Sequence, residues 1–283
     1  MSKAWIIAGF ALRESLRKRV FIVVALLTVA FLGLYALGTW QISQEIDEIG
    51  TVEGVEGDVV AGATLLGLSM FAILFLGAIL AVFLTLGAVR GDAERGLLQP
   101  MIVRPISRAT FMLGRYVAAA AVCAAYVIAV FGVAVVITNL FIDWWPDRLV
   151  GPALQLGVGV AVIAALSLAG SVVMSSTANG IAVFMLFGAG LTAGLLGQIA
   201  EALRSETLED VSRVASWLLP FEAHYQSALS AITADTVGFT RFAIDLGPFG
   251  GAQSFGSLLG PFTLVYLAAV GAAALWAFRR RDL

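Results

Sequence analysis

Residues 59–89 read VVAGATLLGLSMFAILFLGAILAVFLTLGAV, a run without a single charge. A helix rises about 1.5 Å per residue, so about 20 apolar residues cross a hydrocarbon layer about 30 Å thick, and this run exceeds that length. Four more uncharged blocks share the property, at residues 20–40, 116–142, 149–199 and 258–278. The block at 149–199 is too long for one crossing. It reads as two helices, 149–174 and 181–199, joined by the polar run Ser175, Ser176, Thr177, Ala178, Asn179 and Gly180, whose residue types favour a turn. Six spans are therefore expected in an all-α integral membrane domain covering residues 1–283. At 60% hydrophobic and 13% charged, the composition departs from that of a soluble globular protein.

Six crossings place both termini on one side, and the basic residues indicate which. With a cytoplasmic N-terminus, the inner segments hold Lys3, Arg13, Arg17, Lys18, Arg19, Arg90, Arg95, Arg104, Arg108, Arg115, Arg279, Arg280 and Arg281. The outer segments hold only Arg148, Arg204, Arg213 and Arg241. That asymmetry is expected when basic loops are retained in the cytoplasm. Acids run the other way, led by Glu45, Asp47, Glu48, Glu53, Glu56 and Asp58 outside, so the formal net charge of -2 conceals two oppositely charged faces. No nucleic-acid partner is expected. The first apolar block is too long for a signal-peptide core, and Trp40, Gln41 and Ile42 make a poor cleavage site, so no cleavable leader is expected.

Ahead of the first span, Trp5, Ile6, Phe10, Leu12 and Leu16 mix with Lys3, Arg13, Arg17, Lys18 and Arg19. This pattern suits an amphipathic helix lying among lipid headgroups, or a basic stop that fixes orientation. Residues 200–257 form the only sizeable outer piece. In it Leu208, Val211, Val214 and Leu218 recur at helical spacing behind Ser205 and Thr207, Pro220 marks a stop, and residues 221–233 suit a second short helix. The region either caps the bundle or docks an extracytoplasmic partner.

The inner loop at residues 90–115 reads RGDAERGLLQPMIVRPISRATFMLGR. Glu94, Gly96, Leu97, Leu98, Pro105, Ile106, Ser107, Arg108, Gly114 and Arg115 follow one another in an order that resembles the signature of type 2 ABC exporter permeases (the ABC-2 type). The six-span order, the amphipathic start, the long outer region before span six and the basic tail are similar to that family as well. Arg115 stands where the family more often has Lys, which keeps the charge. Length and loop layout also resemble the permease of nitrous oxide reductase maturation, which implies a periplasmic partner. In the family this inner segment is the coupling helix, seated in a cleft of a separate ATPase. Glu94, Gly96, Leu97, Leu98, Pro105, Ser107 and Arg108 are then the coupling residues. A physical reason stands beside the resemblance: a cytosolic motor moves membrane helices only through a stiff element gripped at an interface. Here Leu97, Leu98, Met101 and Ile102 supply an apolar contact face, Glu94 and Arg108 supply ion pairs at its ends, and Pro105 ends the helix.

The chain has no ATP site of its own. A phosphate-binding loop needs Gly, four residues, Gly, Lys, then Ser or Thr, and the only lysines, Lys3 and Lys18, lack that context. ATP and Mg are expected on a partner ATPase, no catalytic, cofactor or metal residues are expected in this chain, and a homodimer or a heterodimer with a similar permease is expected to complete the pore. Gly190, Gly194 and Gly197 make a small-residue face on span five that allows close packing, within one subunit or between two.

Other classes fit less well. An ion-coupled carrier keeps titratable groups in the bilayer, and these spans contain none. An intramembrane enzyme needs a nucleophile with a base or a ligand cluster; the one histidine, His224, falls in the outer region, where a surface position is expected, and Cys123 is alone in span three. A scaffold subunit acting on an outer partner is the surviving alternative. Ser69, Thr85, Asn139, Gln155, Ser167, Ser171, Thr192 and Gln198 are the polar points within the spans, read chiefly as ties to helix carbonyls or between helices. Trp40, Trp144 and Trp145 read as interfacial anchors.

Overall fold

The computed structural model describes residues 19–49, 56–86, 107–203, 205–245 and 252–280. Among these the regular structure is helical throughout: α1 (Arg19–Ile49), α2 (Gly57–Thr85), α3 (Arg108–Ile142), α4 (Val150–Val173), α5 (Ser176–Leu203), α6 (Glu206–Leu218), α7 (Pro220–Ala231), α8 (Gly238–Asp245) and α9 (Leu259–Arg279). Six of them, α1 to α5 and α9, are long and apolar enough to cross a membrane. The amphipathic segment before residue 19 lies outside the described residues.

Helices α2 and α4 form the centre. Their most apolar windows are 67% and 72% buried, against 17% for α1 and for α9, which lie at the rim. Small residues allow this close packing, because helices surrounded by lipid gain from van der Waals contact rather than from expelling water. A Cβ on Gly77 of α2 would come within 2.5 Å of Val127 on α3 and 3.1 Å of Val160 on α4. Hydroxyls tie the rim to the centre: Tyr35 Oη lies 2.6 Å from Thr138 Oγ1, Thr28 Oγ1 2.5 Å from Tyr126 Oη, and Thr85 Oγ1 donates to Ser167 Oγ at 2.6 Å. Ser69, Ser171 and Thr192 bond carbonyls of their own helices.

The break between α4 and α5 is shorter than the polar run suggests. Only Met174 and Ser175 separate the helices, and residues 176–180 are already helical. Ser175 Oγ accepts the amide of Ala178 at 3.5 Å, capping α5, while the buried Asn179 sends Nδ2 across to the Ser167 carbonyl at 2.8 Å. An asparagine that bonds a neighbouring helix no longer competes for its own backbone, so the turn propensity is overridden.

The ends of the bundle differ in charge. One end, the acidic end, carries Glu45, Asp58, Asp143, Asp147 and the α6 acids; the basic end carries Arg108, Arg115, Arg279 and Arg280. At the acidic end Asp143 closes α3 in the left-handed region with φ 55°, a conformation Asp tolerates, and its amide bonds the Asn139 carbonyl at 2.9 Å. The turn drives Trp144 onto Gly62, where a Cβ would meet the indole at 2.5 Å. Trp144 is thus a buried packing residue rather than an interfacial anchor, while Trp40 and Trp145 stay exposed.

Helices α6 and α7 form a hairpin set into the acidic half of the bundle. The chain descends α6 along α5, breaks at Leu219, and returns through the interior as α7, with Pro220 at the first helical position where its missing amide costs nothing. The return begins deep. Phe221 carbonyl oxygen lies 3.4 Å from the position of a Cβ on Gly159, nine residues into α4 and so about 13 Å along it. At the surface, Asp147 amide bonds the Ile232 carbonyl at 3.0 Å, and its Oδ2 accepts the Asp235 amide at 2.8 Å.

Candidate functional site

At the basic end, α3 does not stop at the bilayer. It runs 35 residues from Arg108, about 52 Å at helical rise against a hydrocarbon layer of about 30 Å. Ser107 caps it, accepting the Thr110 amide on Oγ at 3.1 Å. Arg108 reaches across to α9: Nη1 donates to the Phe278 carbonyl at 2.5 Å, and the guanidinium lies 5.2 Å from the Phe278 ring centre. Beneath it Met112, Leu168, Val172, Ala274 and Phe278 form an apolar cluster separate from the main core. The start of α3 is thereby joined to the ends of α4 and α9. Of the sequence-selected residues here, Ser107 and Arg108 are placed; Glu94, Gly96, Leu97, Leu98 and Pro105 lie outside the described residues.

At the acidic end, the glycine face of α5 receives the hairpin of the same chain. A Cβ on Gly190 would come within 2.6 Å of the Phe221 ring; one on Gly194 would collide with Glu222 Oε1 and lie 2.6 Å from Gln226 Nε2; one on Gly197 would lie 2.7 Å from Ser212 Oγ. Phe221 also stacks on Phe187, centroids 5.7 Å apart. Tyr225 Oη donates to the Gly67 carbonyl of α2 at 3.5 Å.

Helix α7 brings polar groups with it. Glu222 is 1% exposed and its Oε1 accepts from Gln226 Nε2 at 2.8 Å. Burial raises its carboxyl to about 7, opposed by that hydrogen bond. His224, 5% exposed, turns to the other side, between Gln155 of α4 and Thr263 of α9. The surface position expected for it is therefore wrong: the helix that carries it is drawn into the bundle. Burial depresses its imidazole to about 4, so it is neutral near pH 7. Thr263 Oγ1 donates to the Leu259 carbonyl at 2.8 Å and so accepts from His224 Nε2 at 2.9 Å. Gln155 Oε1 lies 2.5 Å from Nδ1, and a half-turn of that amide puts its NH₂ there as the donor that Nδ1 of this neutral tautomer accepts from. Next to Gln155 a cavity of about 570 Å³ opens at the acidic end, edged by Arg148, Ser227, Ser230, Thr236 and Ser254.

Sequence reasoning missed Glu222, His224 and Gln226 as interior groups, and Phe278 as the receiver of Arg108. Two signals pointed to the first set: a three-glycine face on α5 in need of a partner, and Gln155, the one side-chain amide in its span. Among the described residues no His, Cys, Asp and Glu group is arranged to hold a metal.

A search of curated proteins finds no match to this chain. The sequence model for the ABC-2 family transporter protein matches residues 5–283, and with its six apolar helices this chain is a membrane protein that belongs to that family.

Proposed function

We propose that the chain is the permease subunit of an exporter driven by a separate nucleotide-binding subunit, which binds ATP and Mg and works the membrane helices through residues 90–115. The observation that carries this reading is the joint at Ser107 and Arg108. From Ser107, the last part of the family signature in sequence, the chain forms a capped helix longer than the bilayer, and that helix is fastened to α4 and α9. A lever needs this stiffness and anchorage. Membership of a family whose members are membrane subunits of transporters supports it.

In this proposal the basic end and both termini face the cytoplasm of a prokaryotic cell, in its cytoplasmic membrane, and the acidic end faces outward. Membrane lipids surround the rim helices, and two permeases, identical or similar, complete the pore. The cavity beside Arg148 at the acidic end gives an outer partner somewhere to engage, which keeps open a role in which the motion is delivered to such a protein rather than to a cargo. Cysteines placed at Glu56 and Arg95 test the sidedness: labelling from opposite faces is expected, and labelling of both from one face contradicts it. Co-purification tests the partnership. The wild-type permease is expected to retain an ABC-type ATPase, and the charge reversal Arg108→Glu to insert normally while losing coupled transport.

A further inference from the structure

The Glu222 and Gln226 pair leaves two buried oxygens unanswered. Glu222 Oε1 accepts from Gln226, but Glu222 Oε2 and Gln226 Oε1 have no hydrogen-bond partner among the described residues. Both are acceptors while the carboxyl is ionised, and a buried acceptor without a donor keeps the whole cost of its lost hydration. Among the described residues no counter-charge answers it. Helix α5 offers the backbone at Gly190 and Gly194, and α6 offers Ser212, whose Oγ donates to the Ala193 carbonyl, and Ser216. Arg213 on α6 is exposed and paired with Glu209 and Asp210. On α7 itself, His224 is turned to Gln155 and Thr263, and Tyr225 to Gly67. Against Gln226, between Gly194, Gly197, Ser212 and Ser216, lies a cavity of about 10 Å³, room for about one water molecule.

We propose that Glu222 is a proton-binding site, loaded from the acidic end through that water-sized cavity, and that the bound proton lets α7 seat against Gly194. A hydronium ion gives its proton to Oε2 and leaves as water; one O–H bond forms on the carboxyl and none breaks in the protein. Oε2 thereby changes from an unanswered acceptor into a donor, and Gln226 Oε1, directly or through one water, is the acceptor available to it. Loss of the proton puts a bare charge against the α5 backbone and loosens the hairpin. Burial already places the carboxyl near neutrality, within the range where small changes in external pH move its occupancy. The site needs no ATPase, so it stands or falls separately from the exporter reading.

The test uses the full-length permease in lipid nanodiscs. Infrared spectra of the wild type are expected to contain the carbonyl stretch of a protonated carboxylic acid at pH 6, fading by pH 8 and missing from Glu222→Gln. Thermal unfolding supplies the second readout. Because a raised carboxyl pKa stabilises the fold below the unfolded value and loses that stability as pH rises through the folded value, the wild type and Glu222→Gln are expected to melt together near pH 5. By pH 8 the variant is expected to melt higher by roughly 5 °C. Absence of the acid band from the wild type at pH 6 overturns the proposal, and that measurement stands even where the variant does not fold. A difference between the two proteins that is flat with pH also overturns it, as does stabilisation of the wild type alone by sodium at fixed pH, which would assign the site to a metal cation.

Discussion

Helices α6 and α7 follow one another in the chain, are 13 and 12 residues long, and have opposite surroundings. The first carries the clean apolar stripe, yet it buries Ser212 and Ser216 and exposes Val211, Val214 and Leu218. The second carries Glu222, His224 and Gln226, yet all three are buried. In water this would be inside out. In a membrane domain lipid takes the apolar stripe at no cost, and the protein interior is where polar groups find partners. The sequence pattern therefore located α6 and α7, but neither α8 nor which faces are covered.

The largest expected effect comes from closing the slot that separates their environments. Gly194→Val drives a branched side chain into Glu222 and Gln226, and over-packing of a fitted interface costs about 1–3 kcal/mol, here expected at the upper end. Protease cleavage in residues 206–231 should become fast. A variant as resistant as the wild type would mean that α7 is not seated on α5.

His224→Ala comes next. It strips Gln155 and Thr263 of a buried partner, an expected loss of roughly 1–3 kcal/mol, and a double-mutant cycle with Thr263→Val should show coupling. Independent effects would break the contrast between the two helices. The pH dependence sharpens it further. His224 has a folded pKa of about 4, below its ordinary 6.5, so its contribution is complete above about 6.5 and is lost as pH falls toward 4. In a Glu222→Gln background, melting temperature should fall on acidification through that window, and adding His224→Gln should flatten the curve. The smallest effect belongs to α6: Val214→Ala, on the exposed face of that helix, should change stability by about 0.5 kcal/mol or less in unfolding experiments. A loss greater than that of His224→Ala would reverse the comparison.

The spans were legible because a charge-free run of more than 20 residues has few other readings, and the family was legible because the order of Glu94, Gly96, Pro105, Ser107 and Arg108 is specific. What the sequence concealed depends on contacts between distant residues. Nothing near Arg108 announces Phe278, 170 positions away. The run Ser175 to Gly180 looked like a turn because propensity is local, whereas Asn179 is held by Ser167 across the helix pair. Trp144 looked like an anchor until Gly62 supplied a flat seat for it. His224 was placed at the surface because it falls in the outer region of the sequence, when its neighbours in space, Gln155 and Thr263, sit in two different spans.

The central claim is that the chain is driven from its basic end by a foreign nucleotide hydrolase. The direct measurement is ATP hydrolysis by the copurified nucleotide-binding subunit in proteoliposomes, with wild-type permease and with Glu94→Lys. Hydrolysis that responds to the wild type and loses that response in the inserted, folded variant is the expected result. Hydrolysis indifferent to the permease, or identical with both, would contradict the account.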